Sequence, residues 1–276
     1  MGQPSTLSVG RDTKPTSATV TVTRDRDAAS IVSAQSCTVE ADRVYYALAA
    51  QSTVSSLTAT FSIIDAAGTS TVSVPVQIVG RRTASIADCR RVKPLDNPNR
   101  YPDELIERTI TEVELALEDA CGVSFVPVER VNARMDGSGT LELFSRHARP
   151  QSVSAASISD GVTTSTLSAT EVAAIVVDEE AGVLIRPTYS WNTGRRNVTL
   201  TGVFGYADVP GMVRQAVVEA VKYALVESRT DPRATQVISE DGTSQTLVTA
   251  GLRQNLFGLP SMNSLVMQYR QGFGVA

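Results

Sequence analysis

The chain has 276 residues, of which 42% are apolar and 20% charged, with a formal net charge of −4. That is the composition of an ordinary globular protein, and it excludes a disordered or membrane-embedded chain. The mild acidity also argues against a protein that grips nucleic acid through its phosphates, which needs a basic footprint, though not against one that DNA slides past.

The length fits one or two domains, or three. Aromatic residues are only 5%, so the cores must be built from Val, Ala, Leu and Ile. Cys37, Cys89 and Cys121 are widely spaced and odd in number, which reads as three unpaired thiols in a reducing compartment. No apolar run approaches the roughly 18 residues of a membrane-spanning helix. Met1 to Gly10 lack the basic and apolar regions of a secretory signal. Met1-Gly2…Thr6 matches the N-myristoylation pattern, which is short enough to arise by chance.

Residues 1–82 are rich in Ser, Thr, Val and Ala and carry no helical period. Thr19–Thr23, Val44–Leu48, Leu57–Ile64 and Thr71–Ile78 alternate as strands, and Asp65-Ala66-Ala67-Gly68 is a hairpin-type turn. Short strands at this spacing predict an antiparallel β-sandwich of immunoglobulin-like size, with no Cys…Trp…Cys signature. From Arg81-Arg82 to Arg100 the chain reads as a linker, punctuated by Pro94, Asn97, Pro98 and Asn99.

A helix is expected over about 101–121. Pro102 and two acids open it, Ile106, Ile110, Val113, Leu117 and Ala120 form its apolar stripe, and Gly122 is a natural C-cap. Its other face carries Glu104, Glu107, Glu112, Glu114, Glu118 and Asp119. Such a row is either a solvated face or a set of carboxylates for acid–base work; Glu112 and Glu114 would carry a hydrolase reading.

Strands follow over Phe125–Val131, Thr140–Phe144, Ser152–Ser159, Ala174–Val177, Val183–Arg186 and Asn197–Phe204. Turns are expected at Asp136–Gly139, Asp160-Gly161 and Glu179–Gly182. Asn197-Val198-Thr199 matches a glycosylation sequon, but within a strand. A second helix, over about 209–228, is capped by Asp208 with Pro210 near its first turn. Val213, Val217, Val221 and Leu225 recur along it, flanked by Ala216, Ala220 and Ala224. Residues 230–276 read as an arm, polar at first, helical from about Leu247 to Leu256, and ending in the apolar segment Leu265–Tyr269.

Motifs for chemistry are missing. His147 is a lone loop histidine. No metal-ligand spacing, phosphate-binding glycine loop or nucleophile elbow occurs. The Asp-Gly pairs lack calcium-loop spacing, and the arginine pairs lack interleaved aromatics. No cofactor or metal site and no enzymatic activity are expected.

One stretch is more specific. WNTGRRNVTLTGVFGYADVPGMVRQAVVEAVKYAL, Trp191 to Leu225, joins a strand to a capped helix through G-Y-x-x-V-P. With YPDELIERTITEVELALEDACGVSF, MDGSGTLELF, RPQSVSAASISDG and VVDEEAGVLIR in this order and spacing, residues from about 100 to 270 resemble the head-to-tail adaptor (connector) proteins of tailed bacteriophages. The N-terminal β-domain is an addition that the minimal adaptor lacks.

The resemblance implies an α+β chain: a β-sandwich at 1–82, an adaptor core at 83–229 with two long helices and a β-hairpin, and a C-terminal arm at 230–276. It implies a non-enzymatic virion neck protein, assembled in the host bacterial cytoplasm. This protein would form a ring, usually of twelve copies, under the portal protein and extend the DNA channel. It would receive a head-completion, stopper or tail protein on its other side, without sequence-specific DNA binding and without a membrane.

In that setting Glu104, Glu107, Glu112, Glu114, Glu118 and Asp119 are candidates for a channel face that repels phosphates. Which face of the helix lines the channel stays open. Leu252, Leu256, Phe257, Leu259, Leu265, Met267 and Tyr269 are candidates for docking the arm into the portal, or for packing on their own domain. The alternative from another class is a β-sandwich adhesion or carbohydrate-binding protein.

Overall fold

The computed structural model describes residues 5–11, 14–79, 82–145, 149–227, 236–238, 244–246 and 259–270. Its contacts gather into two compact units interleaved along the chain. Unit 1 holds Met1–Arg81 and Val126–Tyr206, and unit 2 holds Arg82–Phe125 and Ala207–Ala276.

Unit 1 begins with seven antiparallel strands: β1 (Ser5–Gly10), β2 (Ser17–Arg24), β3 (Ser30–Ser36), β4 (Thr38–Val39), β5 (Arg43–Leu48), β6 (Ser55–Asp65) and β7 (Gly68–Ile78). They form two sheets, ordered β1-β5-β4 and β3-β2-β6-β7. Alternation dictates what is buried. Along β6, Leu57, Ala59, Phe61 and Ile63 point inward, and Val20 and Val22 on β2 join them. Leu7, Val9, Val44 and Leu48 from the other sheet complete one shared core. The hairpin turn expected at Asp65–Gly68 is present: Gly68 has φ 127, and the Asp65 carboxylate accepts from the Ala67 N–H at 2.8 Å.

The second part of unit 1 contains β8 (Val128–Gly137), β9 (Glu142–Phe144), β10 (Pro150–Ser159), β11 (Thr164–Thr166), α3 (Ala169–Ala173), β12 (Val176–Asp178), β13 (Val183–Ile185) and β14 (Gly194–Phe204). A helix over 170 and a strand over 165 were not expected from the sequence. The helix had a signature, the capping box Ser168-x-x-Glu171. Here too there are two sheets, β11-β10-β14-β8 and β12-β13-β9. Met135, Leu143, Ala156, Leu184, Trp191, Val198 and Leu200 lie between them.

β8 starts three residues later than the expected strand and runs through the expected turn at Asp136-Gly137. The Gly137 N–H donates to Asn197 Oδ1 at 2.8 Å, and Asp136 accepts the Arg196 N–H at 2.6 Å, so side chains extend the pairing. Gly202 lies at a close approach of β14 to β10: a Cβ there would stand 2.2 Å from the Ser152 carbonyl oxygen.

Unit 2 is helical: α1 (Ile86–Arg90), α2 (Asp103–Cys121), α4 (Gly211–Lys222) continued by a π turn over Tyr223–Glu227, the hairpin β15 (Gln236–Ile238) and β16 (Ser244–Thr246), and α5 (Pro260–Tyr269). Helices α1, α4 and α5 all pack against α2. The stretch read as a linker holds α1. Ser85 and Asp88 form a reciprocal capping box, and Cys89, Leu95 and Tyr101 are buried.

α4 buries Val213, Ala216, Val217, Ala220 and Val221 as its periodicity predicts. Leu225 is only half-buried and Ala224 is exposed, because the π turn shifts the helical phase by one residue. Pro210, not Asp208, occupies the N-cap of α4, with no side-chain cap.

All three cysteines are free. Burial pushes the Cys89 and Cys121 thiols up to about 11 and also raises Cys37. A thiol with a raised pKa stays protonated and unreactive at neutral pH. Maleimide on the native chain should therefore modify half-buried Cys37 slowly and leave Cys89 and Cys121 untouched until denaturant is added. Mass spectrometry showing rapid native labelling at Cys89 or Cys121 would contradict this packing.

Candidate functional site

Helix α2 runs from Pro102 at its N-cap to Gly122, whose φ of 71 and N–H bond to the Glu118 carbonyl (2.8 Å) close it. Ile106, Thr109, Ile110, Leu117 and Cys121 face the unit's core. Asp103, at the start of the helix, pairs with Arg90, and the six acids after it divide into two groups. Glu104, Glu107, Glu112 and Asp119 point outward. Glu107 lies 3.5 Å from Arg82, and Glu112 lies 3.7 Å from Arg108, one turn away. Such exposed pairs stabilise by a few tenths of a kcal/mol.

Glu114 and Glu118 are turned to internal work. Glu114 accepts the Thr83 N–H at 2.7 Å with the Arg82 guanidinium at 3.8 Å, and Glu118 accepts the Ser124 hydroxyl at 2.7 Å. They tie down the chain on either side of the helix. Leu115, 63% exposed, sits among the outward acids.

In the arm, Leu252, Leu256 and Phe257 lie outside the described residues, as does His147. Leu259 is the N-cap of α5. Met262, Leu265 and Val266 are buried in the helical layer, and Tyr269 meets Phe125 edge-on at 5.3 Å and 86°. The Ser261 hydroxyl donates to Glu219 at 2.7 Å. Met267 is 85% exposed and points away from this seat. Leu265 and Tyr269 thus hold α5 on its own unit, while Met267 is presented outward.

A charge at Leu265 cannot be accommodated in that seat. Leu265→Asp should weaken the docking of α5 by about 3 kcal/mol, the loss for a large buried apolar side chain plus the desolvation of a carboxylate. Hydrogen exchange should rise sharply over residues 260–269 while α2 and α4 keep most of their protection; unchanged exchange would contradict the docking.

Unit 1 contains a cavity of about 450 Å³, lined in part by Ile158, Leu167, Glu171, Arg186, Tyr189 and Asn192. The sequence reading missed this cluster; Trp191, the chain's single Trp, was its best signal. The Arg186 guanidinium lies 5.2 Å from the Trp191 ring and 5.5 Å from the Tyr189 ring. It is 3.5 Å from Glu171 and donates to the Ser190 carbonyl at 3.4 Å. Hydrogen bonds from the Ser168 backbone and hydroxyl, with Arg186 adding its charge, hold the Glu171 carboxyl below the usual range. Asp160, also on the wall, is held low by its own turn, where it accepts from Val162, Thr163 and the Thr163 hydroxyl. The charges in the cavity are therefore already engaged, and no nucleophile stands beside a base there.

A buried carboxylate links the two parts of unit 1. Glu129 on β8 accepts the Ser56 N–H at 2.8 Å and lies 3.4 Å from Arg26, and its own carbonyl accepts from Gln77 at 3.2 Å. At the end of β14, the Gly205 N–H donates to the Arg149 carbonyl at 2.9 Å, with Arg149 over the Tyr206 ring at 4.2 Å. The φ of 107 at Gly205 is one that glycine adopts freely. Among the described residues, no group of three or more His, Cys, Asp or Glu could hold a metal ion, and no helix is long and apolar enough to cross a membrane.

No protein-family profile matches this chain, and no curated protein does. Among solved structures, the chain is similar to one described as the neck of an empty GTA particle computed with C6 symmetry. The identity is 14% and the TM-score 0.40, over 71% of this chain and 93% of that one.

Proposed function

We propose that this chain is a non-enzymatic structural protein of a virion neck, a head-to-tail adaptor that forms a ring, of twelve copies, beneath the portal protein. The observation that carries the reading is the order of parts from residue 100 onward. An acid-faced helix comes first, then a bulged antiparallel sheet with a short hairpin. A strand then ends at Gly205 and passes through Val209-Pro210 into an Ala/Val-faced helix that packs on the first. This is the sequence of elements that the G-Y-x-x-V-P motif and its neighbours led us to expect of the adaptor family.

In this reading Glu104, Glu107, Glu112 and Asp119 supply the channel face, where negative charge keeps the phosphates of passing DNA from adhering. Glu114 and Glu118 keep the helix in place. The arm contacts the portal through Met267 and the stretch holding Leu252, Leu256 and Phe257, while Leu265 and Tyr269 anchor α5. The seven strands of residues 5–78, of immunoglobulin-like size, are a module added to the adaptor's parts.

Co-purification of the full chain with the portal protein of the same genome tests this. The expected result is a stable complex that a chain ending at residue 229 fails to form. Folded, non-associating proteins on both sides would overturn the assignment.

The cavity beside Tyr189 is the one observation that favours the alternative of a carbohydrate-binding surface protein. Saturable binding of an oligosaccharide in calorimetry, lost in Tyr189→Ala, would support that alternative.

A further inference from the structure

The small sheet β12-β13-β9 has two apolar faces. Its inner row, Val177, Leu184 and Leu143, packs into the core of unit 1. The strand registers place two rows on the opposite face: Val176 beside Ile185 beside Glu142, and Asp178 beside Val183 beside Phe144. Phe144 is 67% exposed and Val176 54%, with Leu141 also exposed at the strand entrance. A half-solvated antiparallel sheet should alternate apolar-in with polar-out; this one keeps apolar residues on its outer side. Glu142, Asp178 and the neighbouring Glu180 are exposed around them. On the middle strand Val183 is buried and Ile185 half-buried, so Phe144 and Val176 on the two outer strands are what solvent meets, with the acids beside them. Exposed apolar side chains set among charges mark a protein contact surface.

The charge of the rim calls for a basic occupant, and the chain carries one. β8, at the end of the four-stranded sheet, exposes Arg130 and Arg134, and the bulge on its partner β14 exposes Arg195 and Arg196. Among the described residues none of these four arginines is in an ion pair, whereas Arg149 is matched to Glu179 at 3.5 Å. Of the two acids on β8, Glu129 is buried against Ser56 and Arg26, and the exposed one, Asp136, accepts the Arg196 N–H.

We infer that the acid-rimmed apolar face of β12-β13-β9 docks on the arginine-bearing β8 edge of a second copy of this chain. Two different, complementary surfaces on one chain make a head-to-tail contact, which repeats until it closes. The inference rests on the ring proposed above and names the surfaces that build it.

The test uses two full-length double variants, Phe144→Asp with Val176→Asp, and Arg130→Glu with Arg134→Glu, followed by sedimentation and native mass spectrometry. The wild-type chain should assemble as its concentration rises, and each double variant should assemble at least about tenfold more weakly. An equimolar mixture of the two, each keeping one intact surface, should stop at a dimer. Combining Glu142→Arg and Asp178→Arg with Arg130→Glu and Arg134→Glu in one chain should restore assembly. Trp191 emission reports whether the core behind the patch is intact. If the aspartates unfold it, Phe144→Ser with Val176→Thr makes the same test at lower cost to the strands.

Double variants that assemble like the wild type would overturn this inference and leave the ring standing. A wild-type chain that stays monomeric at every concentration would overturn the second-copy assignment. Imaging of the particle neck then decides the ring separately.

Discussion

Replacing Trp191 with Ala should cost the second half of unit 1 about 3–5 kcal/mol, the range for truncating a large buried aromatic. Trp191 is fully buried at the centre of the cluster formed by Met135, Leu143, Leu184, Val198 and Leu200. Its indole N–H donates to the Leu184 carbonyl at 3.3 Å, and its backbone N–H donates to the Thr140 carbonyl at 2.7 Å. The truncation leaves a void, an unpaired carbonyl, and Arg186 without the ring beneath it. The chain has two units, so a single unfolding free energy is not the right readout. Hydrogen exchange is local: amides of β10, β13 and β14 should lose protection while those of α2 and α4 do not. Trp191→Phe should recover most of the loss. Wild-type protection in Trp191→Ala would contradict the packing described for this core.

Glu129→Ala should have the next largest effect, about 2–3 kcal/mol, the cost of leaving charge-assisted bonds unmade. The Glu129 side chain is only 2% exposed, whereas that of Arg26 is 37% exposed. Solvent therefore screens the ion pair, and the Ser56 N–H, left without its acceptor, carries most of the penalty. Glu129→Gln keeps an acceptor in place and should cost less. The loss should appear as faster exchange around Ser56 and as proteolytic separation of residues 1–79 from 126–206. A Glu129→Ala chain as resistant as the wild type would mean that this carboxylate does not join the two parts.

That joint explains what the sequence could and could not convey. Alternation made β2, β5, β6 and β7 readable because their buried or, in β5 and β7, half-buried residues recur at every second position. β3, Ser-Ile-Val-Ser-Ala-Gln-Ser, is mostly exposed and has no such rhythm. α1 was hidden by the prolines and asparagines that follow it, although Ser85-x-x-Asp88 marks its start as plainly as Ser168-x-x-Glu171 marks α3. The helical stripe of α4 was legible up to Val221 and lost at the π turn, which no residue pattern announces.

The interleaving of the units was not legible at all, since it rests on pairings such as Glu129 with Ser56, 73 residues apart. For the six acids of α2 that follow Asp103, the sequence placed all on the polar side. Only the structure separates the four that face outward from Glu114 and Glu118, whose partners Thr83 and Ser124 lie beyond the helix ends. The arm anchors divide in the same way: Met262, which was not singled out, is buried, while Met267 faces outward.

Electron imaging of particles assembled without this chain tests the central claim most directly. If the chain is the head-to-tail adaptor, the particle encoded by the same genome should yield separate heads and tails when the chain is absent. Supplying the full chain should restore joined particles with a ring of added density beneath the portal. Intact, joined particles without the chain, their necks unchanged, would contradict the account.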